Sequence, residues 1–167
     1  TGKTTVSVDG ENHNFYFEKS GGNKGAGVTG EKDDKLYQSG MLLRADSDDK
    51  YIVVKKTTTT DSTTNKKTVT YKKLDDAADF IDDAGLVDAI GNKTDNESVE
   101  IGHVSKKAKD LKEAYVLDST DTKDGVEYIL VNTSGKVIDS NSKNKDGNDY
   151  YYVVKKGGTI EGVYVED

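Results

Sequence analysis

The side chains with the clearest chemical use in this sequence are aromatic rings placed along predicted β-strands. The chain has 10 Tyr and 3 Phe residues and no Trp. A ring on a strand can present a flat apolar face beside a polar edge, and such faces stack on sugar rings or hold choline by cation–π contact. Because strand side chains alternate, about half of these rings must face the core. The candidate ligand-binding residues are Tyr16, Tyr37, Tyr51, Tyr128 and Tyr151.

The carboxylates are abundant, with 31 Asp and Glu residues, but no motif selects a metal-binding or catalytic subset of them. Calcium needs about six to eight oxygens from a compact loop. Asp46, Asp48 and Asp49 lie close together, yet the later bidentate Glu and the loop glycine are missing. Two carboxylates flanking a glycosidic bond would make a glycosidase, but no short motif singles out such a pair. We therefore predict no metal site.

The histidines and the glycine cluster also lack a catalytic context. His13 and His103 have no Ser or Cys partner in a recognisable motif. The segment 25–30 has the glycine spacing of a dinucleotide-binding fingerprint, but charged residues and a short strand follow it instead of a helix. We interpret this segment as a loop that needs positive φ. The sequence thus predicts a protein that is not an enzyme, has no catalytic residues and needs no cofactor.

Composition excludes several classes of protein. The net charge is -7 and Arg44 is the only arginine, which argues against binding to nucleic acid. The absence of Cys excludes disulfides, thiolate metal sites and Cys nucleophiles. No apolar run approaches the roughly 20 residues that span a bilayer, and mean hydropathy is -0.78. The chain begins at Thr1 instead of Met, which indicates a fragment or a processed form.

Internal similarity indicates a repeat architecture. Residues 51–56 (YIVVKK) match residues 151–156 (YYVVKK) at every position but one. A Ser-Gly turn precedes each copy, at Ser39-Gly40 and at Ser134-Gly135, and a looser echo follows Asp9-Gly10. The alternative interpretation is that any Tyr/Val strand between such turns looks alike.

The middle of the chain changes from strand-like to helical spacing. Apolar residues recur every three or four positions from Leu74 to Val87, opposite a face of aspartates, and Gly91 is a plausible stop. A second short helix is predicted by the spacing of Val104, Ala108, Leu111 and Tyr115. Between the two helices, residues 98–101 are predicted to form a brief strand.

These patterns predict an α+β fold that is mostly β. It consists of repeated antiparallel β-hairpins or a meander, with a two-helix insertion in the middle. The expected divisions are an N-terminal β-hairpin block at 1–73, a helical insertion at 74–115 and a C-terminal β-hairpin repeat block at 116–167. These parts could equally form one compact domain.

Two stretches, 9–56 and 124–165, carry a family resemblance. The quoted residues are 128–137 (YILVNTSGKV), 146–152 (DGNDYYY), 157–160 (GGTI), 15–30 (FYFEKSGGNKGAGVTG) and 33–40 (DDKLYQSG). They resemble the glucan- or choline-binding-like cell-wall-binding repeats of Gram-positive surface proteins. The chain differs from the best-known pattern in having no Trp after the glycine turn. The resemblance implies repeated β-hairpins, an extracellular location and attachment to wall polysaccharide or teichoic acid.

The resulting functional hypothesis is an extracellular surface-protein module, secreted or held at the cell surface of a Gram-positive bacterium. It would bind cell-wall or host glycan non-covalently, with wall polysaccharide, teichoic acid or another surface protein as its partner. An alternative is a structural or adhesive module of a pilus, surface layer or phage tail that binds protein. A third is an enzyme fragment that acts on wall glycan. An exposed Tyr row would favour glycan binding, and a large apolar patch would favour assembly.

Overall fold

The computed structural model describes residues 2–118, 125–140 and 144–167, and the fold is mostly β, with 52% of residues in strands. All strand pairs in these ranges are antiparallel. The strands are β1 (Gly2–Val8), β2 (Glu11–Phe17), β3 (Gly30–Lys32), β4 (Lys35–Gln38), β5 (Met41–Leu42), β6 (Tyr51–Thr60), β7 (Lys67–Leu74), β8 (Val87–Asp88), β9 (Ser98–Ile101), β10 (Val104–Lys107), β11 (Leu111–Val116), β12 (Val126–Asn132), β13 (Asn144–Lys145), β14 (Tyr151–Val154) and β15 (Ile160–Glu166).

The N-terminal strands form a five-stranded sheet in the order β1-β2-β5-β4-β3. Its three tight turns lie at Asp9-Gly10, Asp33-Asp34 and Ser39-Gly40, where both residues of each pair have positive φ. Such turns match the twist of the strands that they join, and Asp, Asn and Gly tolerate this backbone best. The polar residues after Asp9-Gly10 predict a longer loop, but the structure has a two-residue turn there, with Val8 opposite Glu11.

A three-stranded sheet joins strands from the N-terminal and C-terminal halves of the chain. Strand β6 is central, with β7 on one side and β12 on the other. Residues 51–57 pair with residues 126–132 in continuous register. The predicted meander therefore ends at β5, because β6 turns away to pair with a strand from the C-terminal part of the chain.

The remaining strands form a five-stranded sheet, β13-β14-β15-β11-β8, and a separate β9–β10 hairpin. The hairpin confirms the strand predicted at 98–101. It packs on the five-stranded sheet through a core cluster that includes Val99, Ile101 and Tyr164. The opposite face of the same sheet contributes Tyr152 and Val163 to a second cluster, together with Phe80.

The predicted two-helix insertion is wrong, because only one of the two helices is present. Helix α1 (Ala77–Ala84) begins after the N-cap Asp76 and ends at Gly85, whose φ of 62 is left-handed. It stops six residues before Gly91, because Gly85 already adopts the αL conformation that closes a helix. The side chains of Ala77 and Phe80 are buried against the sheets.

The second predicted helix is a strand, one turn of 3₁₀ helix and another strand. Strand β10 ends at Lys107, the 3₁₀ turn covers Ala108–Asp110, and β11 follows. The pairing of β11 with β15 shifts register between Leu111 and Glu113. A bulge of this kind displaces the alternation by one residue. Leu111 and Ala114 are consequently both buried, at a spacing of three that imitates a helix.

The two matching hexapeptide segments share a burial pattern but not a sheet. Residues 51–54 and 151–154 both run from one half-buried Tyr to three buried residues. The first segment pairs with β7 and β12, whereas the second pairs with β13 and β15. The repeat relationship stays a prediction. The sequence pair Asp124-Gly125 also predicts a turn. Asp124 lies outside the described residues, and Gly125 has a φ of 77.

Candidate functional site

The structure divides the five predicted tyrosines into two buried and three half-buried rings. Tyr37 is 2% exposed and Tyr128 is 5% exposed. Tyr16, Tyr51 and Tyr151 are half-buried. Tyr37 faces inward because it lies opposite the buried Leu42, and Tyr128 packs against the helix. Tyr37 and Tyr128 therefore do not face outward as candidate ligand contacts would, because both rings belong to the core.

Most of these rings contact another aromatic ring of the same chain. The centroids of Tyr16 and Tyr37 are 5.5 Å apart in an edge-on arrangement. Tyr151 stacks on Tyr164 with centroids 5.0 Å apart, and Lys145 Nζ lies 5.5 Å from the Tyr151 centroid. Of the five candidates, the structure brings Tyr16 and Tyr37 together. It places Tyr151 on another sheet.

A different pair of tyrosines lines a groove of about 360 Å³ between helix α1 and the C-terminal five-stranded sheet. One wall is the C-terminal half of the helix and the residues after it. The other wall carries the rings of Tyr115 and Tyr150. The lining residues are Ala78, Ile81, Asp82, Gly85, Leu86, Tyr115 and Tyr150. The volume falls within the range of small-molecule sites, and an aromatic lining with few polar groups is typical of them.

The helical wall is positioned by its caps. The Asp76 side chain accepts a hydrogen bond of 2.8 Å from the Asp79 N–H, which satisfies one of the free donors at the helix start. At the other end, the Gly85 and Leu86 N–H groups donate to carbonyls of the last helical turn. This closing turn directs the half-buried Leu86 into the groove beside Ile81.

The sheet wall is positioned by strand register and by one Asp turn. Tyr115 lies opposite Val163, and Val163 lies opposite Tyr152, so the three side chains share the helix-facing side of the sheet. Tyr150 joins them because it is two residues before Tyr152. The buried Asp146 fixes the turn that leads into β14, because its Oδ1 accepts hydrogen bonds from the N–H groups of Asn148 and Tyr150.

The polar groups that line the groove are the hydroxyls of Tyr115 and Tyr150 and the Asp82 carboxylate, and Glu113 lies directly behind Tyr150. The Tyr150 hydroxyl donates to Glu113 Oε2 at 3.1 Å. Burial, followed by this contact with Glu113, raises the pKa of Tyr150 to about 12, so the hydroxyl stays protonated at neutral pH. Asp82 adds an exposed carboxylate at the rim. The arrangement can stack a ring on Tyr and accept hydrogen bonds from hydroxyl groups at its acidic edge.

Sequence reasoning missed Tyr115 and Tyr150 for different reasons. Tyr115 was assigned to a helix, and the β11 bulge hides the alternation that would have placed it on a sheet face. Strand alternation predicts that Tyr150 shares a face with Tyr152 and opposes Tyr151, and the structure confirms this alternation. Which face remained open could not be read from the strand alone.

A second groove, of about 400 Å³, lies beside the first hairpin. Its lining includes Lys3, Thr5, Asn14, Lys35 and the largely buried Tyr37. The Lys3 ammonium pairs with an aspartate of the β3–β4 turn at 2.8 Å. This groove presents amide, hydroxyl and ammonium groups beside the half-buried Phe15 ring, and its other aromatic residue, Tyr37, is almost fully covered.

Each of the two histidines lies beside a carboxylate. His103 Nδ1 lies 2.6 Å from Glu161 Oε2, which ties the β9–β10 turn to β15. His13 lies 3.9 Å from Glu11. Within 2–118, 125–140 and 144–167, no three His, Asp or Glu side chains converge as metal ligands. None of the helices in these ranges is long and apolar enough to cross a bilayer.

The chain matches no protein-family model, and comparison with curated proteins and with solved structures finds no significant similarity.

Proposed function

We propose that the chain is a surface-protein module that binds a hydroxyl-rich glycan non-covalently in the Tyr115–Tyr150 groove. The observation that carries this proposal is the pairing of two half-buried phenol rings with a carboxylate rim in one groove. The resemblance to cell-wall-binding repeats supports wall polysaccharide as the glycan and the surface of a Gram-positive bacterium as the location.

The charge of the groove favours a neutral glycan over teichoic acid. Asp82 and Glu113 contribute negative charge at the site, and the whole chain carries -7. A polyanionic phosphate chain would meet like charge there, which costs binding energy at short range. Hydroxyl groups of a neutral sugar instead find an acceptor in the Asp82 carboxylate.

The test is a pull-down on purified Gram-positive cell walls, before and after removal of teichoic acid. We expect the wild-type chain to bind both preparations. Tyr115→Ala and Tyr150→Ala should each weaken binding by on the order of tenfold, because each removes one stacking face worth about 1 kcal/mol or more. Asp82→Asn should weaken it less, since that change keeps the shape and one acceptor.

Tyr151→Ala is the matched control for Tyr150→Ala. The two residues are neighbours, but Tyr151 lies on the opposite face of the sheet, stacked on Tyr164. Equal losses from both substitutions, in variants with wild-type circular dichroism, would contradict the groove as the site. Failure of the wild-type chain to bind either wall preparation would contradict glycan binding itself.

An assembly module is the second candidate function, and a separate observation favours it. Val6, Val8 and Met41 are exposed and lie on one side of the first sheet, beside the half-buried Phe15 and Phe17. Exposed apolar surface of this kind marks interaction sites. A covalent Lys–Asn crosslink, which loses ammonia and lowers the mass by about 17 Da, would also favour assembly, and intact-mass spectrometry measures it.

A further inference from the structure

Among the described residues, no strand pairs with the outer backbone edge of β1, at the end of the first sheet. It is the terminal strand in the order β1-β2-β5-β4-β3, and residues 3–8 are all exposed. Its register with β2 closes at Val8–Glu11 around a two-residue turn. In such a hairpin the closing pair is hydrogen-bonded, and hydrogen-bonded pairs alternate from there. The N–H and C=O groups of Lys3, Thr5 and Ser7 consequently point away from β2.

The edge carries few of the features that protect sheet edges from association. Natural edges are protected by Pro, bulges and inward or repeated charges. Residues 2–8 (GKTTVSV) contain no Pro and one charged side chain, Lys3, and their pairing with β2 is continuous. By contrast, the outer strand β7 carries three lysines, and the Tyr71 N–H donates to the side chain of Gln38.

The side chains of β1 add an apolar face to the free edge. Three of the five exposed large hydrophobic side chains in the described ranges, Val6, Val8 and Met41, lie on the same side of this sheet. The rings of Phe15 and Phe17 stack there with centroids 5.8 Å apart. A strand added to β1 would extend this apolar surface across the join.

We propose that β1 pairs with β1 of a second copy of this chain, antiparallel and centred on Thr5. This register places Thr5 opposite Thr5 and Lys3 opposite Ser7 of the second copy, so every outward-facing backbone group of the three residues is paired. On the apolar side, Thr4 meets Val6 of the second copy. Aliphatic and Thr pairs of this kind stabilise sheets.

Charge and geometry select this register and a second copy as the occupant. Moving the centre to Lys3 would place two ammonium groups opposite each other, which is destabilising. Moving it to Ser7 would set Thr5 against Asp9, which is in the turn with a φ of 51. The strand itself is nearly uncharged on a chain of net charge -7, so two copies meet where their mutual repulsion is smallest.

The test uses charge at position 7, measured by sedimentation equilibrium of the full chain. An edge interface is small, so we expect dimerisation with a Kd on the order of 100 µM. Ser7→Lys faces Lys3 of the second copy at two symmetric positions and should weaken dimerisation roughly three- to tenfold. Ser7→Glu should strengthen it by a similar factor. The double variant K3S/S7K removes the facing ammonium group without setting a new carboxylate beside the aspartate that pairs with Lys3, and it should restore wild-type affinity.

Asn12 supplies the matched control, because it lies opposite Ser7 on β2 and on the same side of the hairpin, away from the edge. Asn12→Lys and Asn12→Glu make the same changes in net charge and should leave the Kd within about twofold. Equal effects at positions 7 and 12 would overturn the register. A wild-type chain that stays monomeric to about 1 mM would overturn self-pairing. Slowed amide exchange at Thr5 with rising concentration, in folded protein, would support it.

Discussion

Tyrosine hydroxyls paired with carboxylates anchor the interior of this protein at the residue scale. Tyr152 donates to Asp146 at 3.2 Å, and both residues are buried. Tyr128 donates to Asp83 at 2.8 Å. Burial alone would raise the pKa of Asp83, but Lys55 at 3.0 Å and the Tyr128 hydroxyl hold it below its usual value. These contacts allow large rings to be buried without leaving a polar atom unpaired.

The buried phenols predict a loss of stability in alkaline solution. Burial is the main cause of a raised pKa at six tyrosines: Tyr37, Tyr71, Tyr128, Tyr150, Tyr152 and Tyr164. A folded-state pKa above the unfolded value of about 10 means that the folded state holds more protons at high pH. Stability is therefore complete below about pH 10 and falls as the pH rises through about 12, the pKa of Tyr150.

The loss can be measured by urea unfolding at about pH 9 and about pH 11. Tyrosinate absorbance, recorded in parallel, reports the ionisation of the rings. We expect a lower free energy of unfolding at the higher pH and delayed ionisation of the buried rings. Tyr150→Phe should reduce the pH dependence, because it removes one of the shifted groups. Equal stability of the wild-type chain at the two pH values would contradict the assignment.

At the scale of elements, the single helix depends on its caps because it is short. Helix α1 has 8 residues, fewer than a helix needs to persist in water without tertiary support. Its N-cap Asp76, its αL residue Gly85 and the packing of Phe80 compensate for that length. The same helix forms one wall of the proposed glycan groove, so its stability and the shape of the site are linked.

Removing the N-cap should destabilise the protein measurably. Asp76→Ala leaves the Asp79 N–H without its acceptor and should lower the free energy of unfolding by about 1 kcal/mol. Asp76→Asn retains a cap and should lose much less. Asp75→Ala is the control, since Asp75 is exposed like Asp76 but does not accept the Asp79 N–H. Chemical denaturation of the three variants compares them, and a loss as large for Asp75→Ala would show that the cap is not the cause.

Over the whole molecule, the pairing of β6 with β12 joins distant parts of the chain. Residues 51–57 and 126–132 form the continuous ladder of the three-stranded sheet. Leu130 and Val53 from this sheet share one core cluster with Phe80 of the helix and Val163 of the C-terminal sheet. Because one cluster contains residues from sheet and helix alike, these parts should lose their structure together.

Leu130→Ala should therefore destabilise the whole fold in one transition. Leu130 is 0% exposed, so the cavity should cost about 2–5 kcal/mol. Leu117→Ala is the control, since Leu117 is 38% exposed and should cost less than about 0.5 kcal/mol. Far-ultraviolet and near-ultraviolet circular dichroism should report coincident midpoints in urea. Separate midpoints for the two signals would contradict a shared core.

Local patterns in the sequence determined the strands and their turns. The pairs Asp9-Gly10 and Ser39-Gly40, each next to alternating apolar residues, predicted hairpins that the structure contains, because turn chemistry acts over a few residues. The apolar spacing from Leu74 to Val87 predicted a helix for the same reason, and the structure contains a shorter one at 77–84. The alternation of Tyr150, Tyr151 and Tyr152 was likewise readable in advance.

Only the tertiary structure decided which strands are neighbours and which aromatic rings are covered. The spacing of Leu111 and Ala114 imitates a helix, and the ladder with β15 makes that segment a bulged strand. Tyr37 and Tyr128 are buried because distant residues cover them, whereas Tyr115 and Tyr150 border a groove that the helix leaves open. Burial and sheet partners depend on contacts between residues far apart in the chain, which short-range patterns do not specify.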